Sequence, residues 1–202
     1  MKLKLMSVMM VMGVLLGTQA AWADDCSISG TITASPTNSP GGPAWAYTLV
    51  MTWDTGTPYA LSHANVLIDS ADGTCMCSDL EDALSWNNPI GTSDGDPNGC
   101  IVSYEGFLEC KGDPSIPGVE GILLKLEPIE DEFCEPGPTG TGTFVFYSDL
   151  PPAPIDEDIL SIVDKYATQS CFGHLSGDFP GLACDPVSVD GASWGTLKGL
   201  FR

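Results

Sequence analysis

From Asp94 to Glu105 the chain reads Asp-Gly-Asp-Pro-Asn-Gly-Cys-Ile-Val-Ser-Tyr-Glu. This is the spacing of a cation-binding loop, in which alternating side-chain oxygens, a sharp glycine turn and a distal carboxylate wrap a hard cation. It makes Asp94, Asp96, Asn98 and Glu105 candidate side-chain ligands for Ca2+, with the Cys100 carbonyl as a backbone ligand. Such an ion would stiffen the loop rather than perform catalysis. The flanks do not suit a helix-loop-helix site, because residues 87–93 are turn-rich and residues 101–108 alternate like a strand. The competing reading is an acidic turn tied down by Cys100.

Nucleophilic catalysis would have to use His63 or His174, the two histidines of the chain. Neither sits in a nucleophile context, and Gly173-His-Leu-Ser-Gly177 carries its serine in the wrong place for a nucleophile elbow. No carboxylate pair is marked out for glycoside hydrolysis, so no catalytic residue is assigned. Tyr59, Trp86 and Trp194 have the faces to stack on sugar rings, although packing is their simpler role. A zinc site built on Cys75-x-Cys77 with His63 or later cysteines lacks the second knuckle and the usual gap. Disulfides are the better use of the eight cysteines, at 26, 75, 77, 100, 110, 134, 171 and 184, and eight allow 105 connectivities, so no pairing follows.

These cysteines belong to an exported chain. Residues 1–23 have a basic start at Lys2 and Lys4, an apolar stretch over 5–16 and small residues at Ala21 and Ala23. That is the order of a secretory signal peptide cleaved before Asp24, and the apolar stretch is too short to span a bilayer. The mature 179 residues are enough for one domain, over 24–192, with a short tail over 193–202. They hold five basic residues against 27 acidic ones, a formal charge of −22. A surface so acidic repels nucleic acid and anionic lipid.

Positioning these groups falls to short strands. Residues 27–34 alternate Ser and Thr with Ile28, Gly30, Ile32 and Ala34, and residues 45–53 place Trp45, Tyr47, Leu49, Met51 and Trp53 on one face. Further strands are expected at 64–68, 121–126 and 142–147, with a connection over 135–140. Ser78 and Glu81 have capping-box spacing ahead of Leu80, Ala83 and Leu84, which predicts one short helix. Residues 159–169 fit either a helix or a strand. Abundant Gly and Pro between short strands suggests an antiparallel sandwich.

Several phrases, in order, resemble the β-sandwich of bacterial "choice-of-anchor" surface proteins over about residues 43–184. They are Trp45-Ala-Tyr47-Thr-Leu-Val-Met-Thr, Ala60-Leu-Ser-His63 running into Cys75, Gly118-Val-Glu-Gly-Ile-Leu-Leu-Lys125, Thr141-Gly-Thr-Phe144-Val-Phe146, and Cys171-Phe-Gly-His-Leu-Ser-Gly177. The resemblance implies one immunoglobulin-like sandwich, with a late strand near Ile159 and no catalytic residues to carry over. The tail from Trp194 to Arg202 resembles short W-G-x-[IL]-K-x-L-[FY]-R endings of exported proteins, which implies a sorting or docking signal. The expectation is thus a disulfide-stabilised, non-enzymatic module that binds a surface or matrix protein or glycan outside the cytoplasm. The alternative is a secreted carboxylate-dependent hydrolase acting on polysaccharide.

Overall fold

The computed structural model describes residues 26–68, 75–96, 99–129, 133–156, 160–182 and 184. The expected signal peptide and C-terminal tail lie outside these residues. In chain order the elements are β1 (Ser27–Pro36), β2 (Trp45–Asp54), β3 (His63–Ile68), α1 (Cys77–Ala83), β4 (Asn87–Asp96), β5 (Ile101–Glu109), β6 (Ile122–Pro128), β7 (Glu135–Pro136), β8 (Thr139–Ser148), β9 (Pro152–Pro154), β10 (Leu160–Tyr166) and β11 (Gln169–Pro180).

Period-two patterning sets the faces. In β1, Ile28, Gly30 and Ile32 are buried while the serines and threonines between them are exposed. In β2, Tyr47, Leu49, Met51 and Trp53 point inward, as their spacing predicts. The ambiguous segment at 159–169 contains β10, whose buried Leu160, Ile162 and Tyr166 follow the alternation of a strand.

The strands run in the order β1, β2, β8, β4, β5, β6, β3, β10, β11. β11 then returns to β1 as a parallel neighbour, from Ser29 opposite His174 to Ile32 opposite Gly177. Among the described residues, nine strands therefore close into a barrel. This corrects the expected immunoglobulin-like sandwich, which would leave β1 with a free edge. Alternation reports only that a strand has one buried face, and that is equally true in either architecture. At the seam, Gly173 and Gly177 lie against the Ile28 and Ile32 carbonyls with no room for a Cβ. Gly177 also has φ of +94°, which a side chain would strain.

Side chains fill the barrel. Tyr47 stacks on Phe146 with centroids 5.2 Å apart, and Tyr104 meets Phe144 edge-on at the same distance. Their polar tips are satisfied: the Tyr47 hydroxyl donates to the Leu150 carbonyl at 2.9 Å, Trp53 Nε1 donates to Gly137 O at 3.0 Å, and the Tyr104 and Ser93 hydroxyls are 3.0 Å apart. An apolar interior inside a hydroxyl-rich wall is the reverse of a membrane barrel, whose outward band is apolar. No described helix is long and apolar enough to cross a membrane.

All eight cysteines are paired, as Cys26–Cys171, Cys75–Cys184, Cys77–Cys110 and Cys100–Cys134. Four disulfides belong to an oxidising compartment outside the reducing cytoplasm, and no cysteine is left for zinc. The capping box of α1 begins two residues earlier than Ser78. The Asp79 carboxylate accepts the Met76 amide at 2.7 Å and so satisfies a donor of the chain entering the helix.

Candidate functional site

The most distinctive surface is the outer wall of the barrel. Register aligns the outward residues of successive strands into ranks. One rank runs Ser176, Thr31, Val50, Thr143, Thr92, Ser103 across six strands. A second runs His174, Ser29, Thr52, Thr141, and a third runs Thr33, Thr48, Val145, Ile90, Glu105. The hydroxyls of Ser29 and Thr52 are 3.0 Å apart, and those of Thr31 and Ser176 are 3.1 Å apart. Of these fifteen positions only Glu105 carries a fixed charge, in a chain with 27 acidic residues. Apolar groups stand among the hydroxyls, with Val50 42 % and Ile90 63 % exposed. Around Ile90 stand Tyr147, two residues beyond Val145 on β8, and Phe107, two residues beyond Glu105 on β5. Each is 37 % exposed.

A second cluster lies on the opposite side of the barrel. Both faces of β3 are buried because the segment from 110 to 121 crosses over it, seating Ile116 and Val119 on Leu67, Leu123 and Val163. Asp113 ties this flap down. One carboxylate oxygen accepts His63 Nε2 at 2.7 Å and Asn65 Nδ2 at 3.2 Å, while the other accepts the Ser115 amide at 2.8 Å and hydroxyl at 2.6 Å. Burial alone would raise the Asp113 carboxyl, but these donors and the neighbouring His63 together outweigh it and bring it down to about 2. Burial, reinforced by Lys125, lowers the His63 imidazole, so it is neutral at pH 7.

Sequence reasoning left His63 without a partner. The missed signal was polar His63 and Asn65 alternating with Leu67 on a strand apolar on both faces, together with the Asp-x-Ser turn at 113–115. Ser62 Oγ lies 3.4 Å from His63 Nδ1, and Ser62 lines a cavity of about 190 Å3 with Leu61, Pro128 and Pro136. The residue types are those of a catalytic triad. However, the serine contact exceeds ordinary hydrogen-bond length, and both oxygens of Asp113 are spent holding the flap. The geometry is that of a latch.

Among the described residues, the barrel interior also holds Asp164 and Tyr166. Asp164 is 0 % exposed; one of its oxygens accepts the Cys171 amide at 2.9 Å, while the other, like the nearby Tyr166 hydroxyl, has no hydrogen-bond partner. Burial pushes the Asp164 carboxyl up to about 7.

The residues of the cation-loop pattern fall on a β-hairpin. Asp94 and Asp96 are outward residues of β4, Cys100 is bonded to Cys134, and the Cys100 carbonyl accepts the Gly95 amide at 2.6 Å. Asp94 faces Ile101, whereas Glu105 faces Ile90, so Glu105 lies about 13 Å further along the sheet. The fold thus brings Asp94 and Asp96 onto one face and holds Glu105 apart; Asn98 lies outside the described residues. Residues 87–93, read from sequence as a turn, are strand. Thermal unfolding with millimolar calcium and with chelator is expected to give coincident curves. A calcium-dependent rise in Tm that Asp94→Ala/Asp96→Ala loses would show instead that the hairpin rearranges around an ion.

Fold and surface together define a closed, disulfide-braced β-barrel whose outer wall is lined by hydroxyls and sparsely charged along the three ranks, with Asp54, Asp94 and Asp96 toward one end. The sequence matches no protein-family model and no curated protein.

Proposed function

We propose that the mature chain is a non-enzymatic binding module working outside the cytoplasm, and that the outer wall across β2, β8, β4 and β5 is its recognition face. The observation that carries this reading is the set of aligned ranks described above. In a chain of formal charge −22 after cleavage before Asp24, the middle of this face sets exposed Val50, Ile90, Tyr147 and Phe107 among threonines and serines with Glu105 as the one fixed charge of the ranks, while Asp54, Asp94 and Asp96 stand toward one end of it. The packed interior directs recognition to the outside. The role agrees with the surface-module resemblance, although the fold is a barrel.

Retention of the protein on the envelope fraction of its own cells tests this. Ile90→Arg and Thr143→Arg point outward and leave the core untouched, so both variants are expected to fold and form four disulfides. Each should lose retention at least tenfold. Retention equal to that of the parent would sink the assignment of the wall.

A further inference from the structure

We propose that the wall binds an extended, uncharged polysaccharide chain, laid across the strands on a platform made by Tyr147, Ile90 and Phe107. This rests on the wall being the recognition face, and it specifies the chemistry of the partner.

Register supplies the geometry. Val145, Ile90 and Glu105 share one rank across β8, β4 and β5. Tyr147 and Phe107 each lie two residues beyond that rank, toward the same end of the barrel, and each faces outward. They stand on either side of β4, which has an irregularity between Asn87 and Ile90, and are two strand spacings apart, about 10 Å in a regular sheet. That is the interval of every second sugar in an extended pyranose chain, so two rings can carry alternate residues of one polymer. Ile90, in the adjacent rank, offers apolar surface beside the line that joins them. Exposure of 37 % leaves part of each ring accessible while packing fixes the rest, so little rotamer freedom is lost on binding.

Polar groups beside the platform suit sugar hydroxyls. The Glu105 carboxylate, opposite Ile90, accepts hydrogen bonds, and Thr143, Thr92 and Ser103 in the neighbouring rank both donate and accept. Asn87 lies at the level of Tyr147, where its side-chain oxygen accepts the Tyr147 amide at 3.1 Å. Charge selects against anionic partners. An anionic polymer, an anionic lipid surface or a second copy of the chain would meet the long-range repulsion of 27 acidic residues, which a neutral glycan does not experience.

The test uses the mature, oxidised protein and four insoluble neutral polymers: cellulose, chitin, curdlan and mannan. Depletion from solution by at least one is expected, with affinity nearly unchanged between low and high salt. Tyr147→Ala and Phe107→Ala should each weaken it at least tenfold, whereas Tyr59→Ala, exposed elsewhere, should not. Depletion by none of the four overturns the proposal, as does binding indifferent to Tyr147 and Phe107. If Ile90→Arg abolishes envelope retention while no polymer is bound, the wall remains the recognition face and the polysaccharide is the part that fails. A concentration-dependent dimer in sedimentation, lost with Ile90→Arg, would assign the wall to a second copy and likewise overturn the glycan.

Discussion

At pH 8, Asp164→Asn is expected to be more stable than the parent, with an advantage that shrinks as the pH is lowered. The Asp164 carboxyl titrates at about 7 in the fold and near 3.8 when exposed, so folding favours the neutral acid. Its contribution is complete below about pH 4 and is lost as pH rises through 7, where the folded barrel must ionise a group sealed beside the Cys26–Cys171 bridge. Relative to Asp164→Asn, the parent should lose roughly 2 to 3 kcal/mol between pH 5 and pH 8. Asparagine retains the oxygen that accepts the Cys171 amide, so the comparison isolates the ionisation. Urea unfolding of both proteins at the two pH values measures the difference. Parallel stabilities would mean that Asp164 is ionised and solvated in the fold.

The second large effect is expected at the flap. Asp113→Ala removes the acceptor of four hydrogen bonds and strands buried His63 and Asn65, at a cost of about 3 kcal/mol. The loss should be local, because the flap seats Ile116 and Val119 on the outside of strands that keep their other, interior face. Hydrogen exchange over 111–121 should accelerate far more than exchange in β2 and β8. Acid should act in the same direction in the parent: the depressed Asp113 carboxyl contributes stability above about pH 4 that is lost as pH falls toward 2. Uniform acceleration across all strands would instead make the flap integral to the barrel.

Local patterning was legible in the sequence where a strand has one wet face. The Ser/Thr alternation of β1 and the aromatic face of β2 gave both the elements and their buried sides, and the helix near Cys77 and the late strand β10 were also expected. Closure was not legible, because β1 meets β11 across more than 140 residues and pairing at that range leaves no periodic trace. For the same reason the outer wall, the proposed recognition face, was only half visible. Thr48, Val50 and Thr143 read individually as outward residues, but the ranks exist only once register is known. Aspartate at alternate positions suits a liganding loop and the outward face of a strand equally well, so the cation pattern did not reveal that Asp94 and Asp96 lie on β4. Asp113 and Asp164 were passed over in a chain where acids are common; what sets them apart is burial, which their immediate neighbours hardly betray.

The cross-links have a consequence for how the protein is made. In order along the chain, the first cysteine joins the seventh, the second the eighth, the third the fifth and the fourth the sixth. No native bond joins cysteines that follow one another. A chain oxidised as it emerges, each thiol taking the next to arrive, would therefore make four wrong bonds. Cys26 must wait, or be released from a wrong partner by thiol–disulfide exchange, until Cys171 arrives and β11 can seal the barrel. Production of the native protein should thus depend on a disulfide isomerase rather than on oxidising power alone.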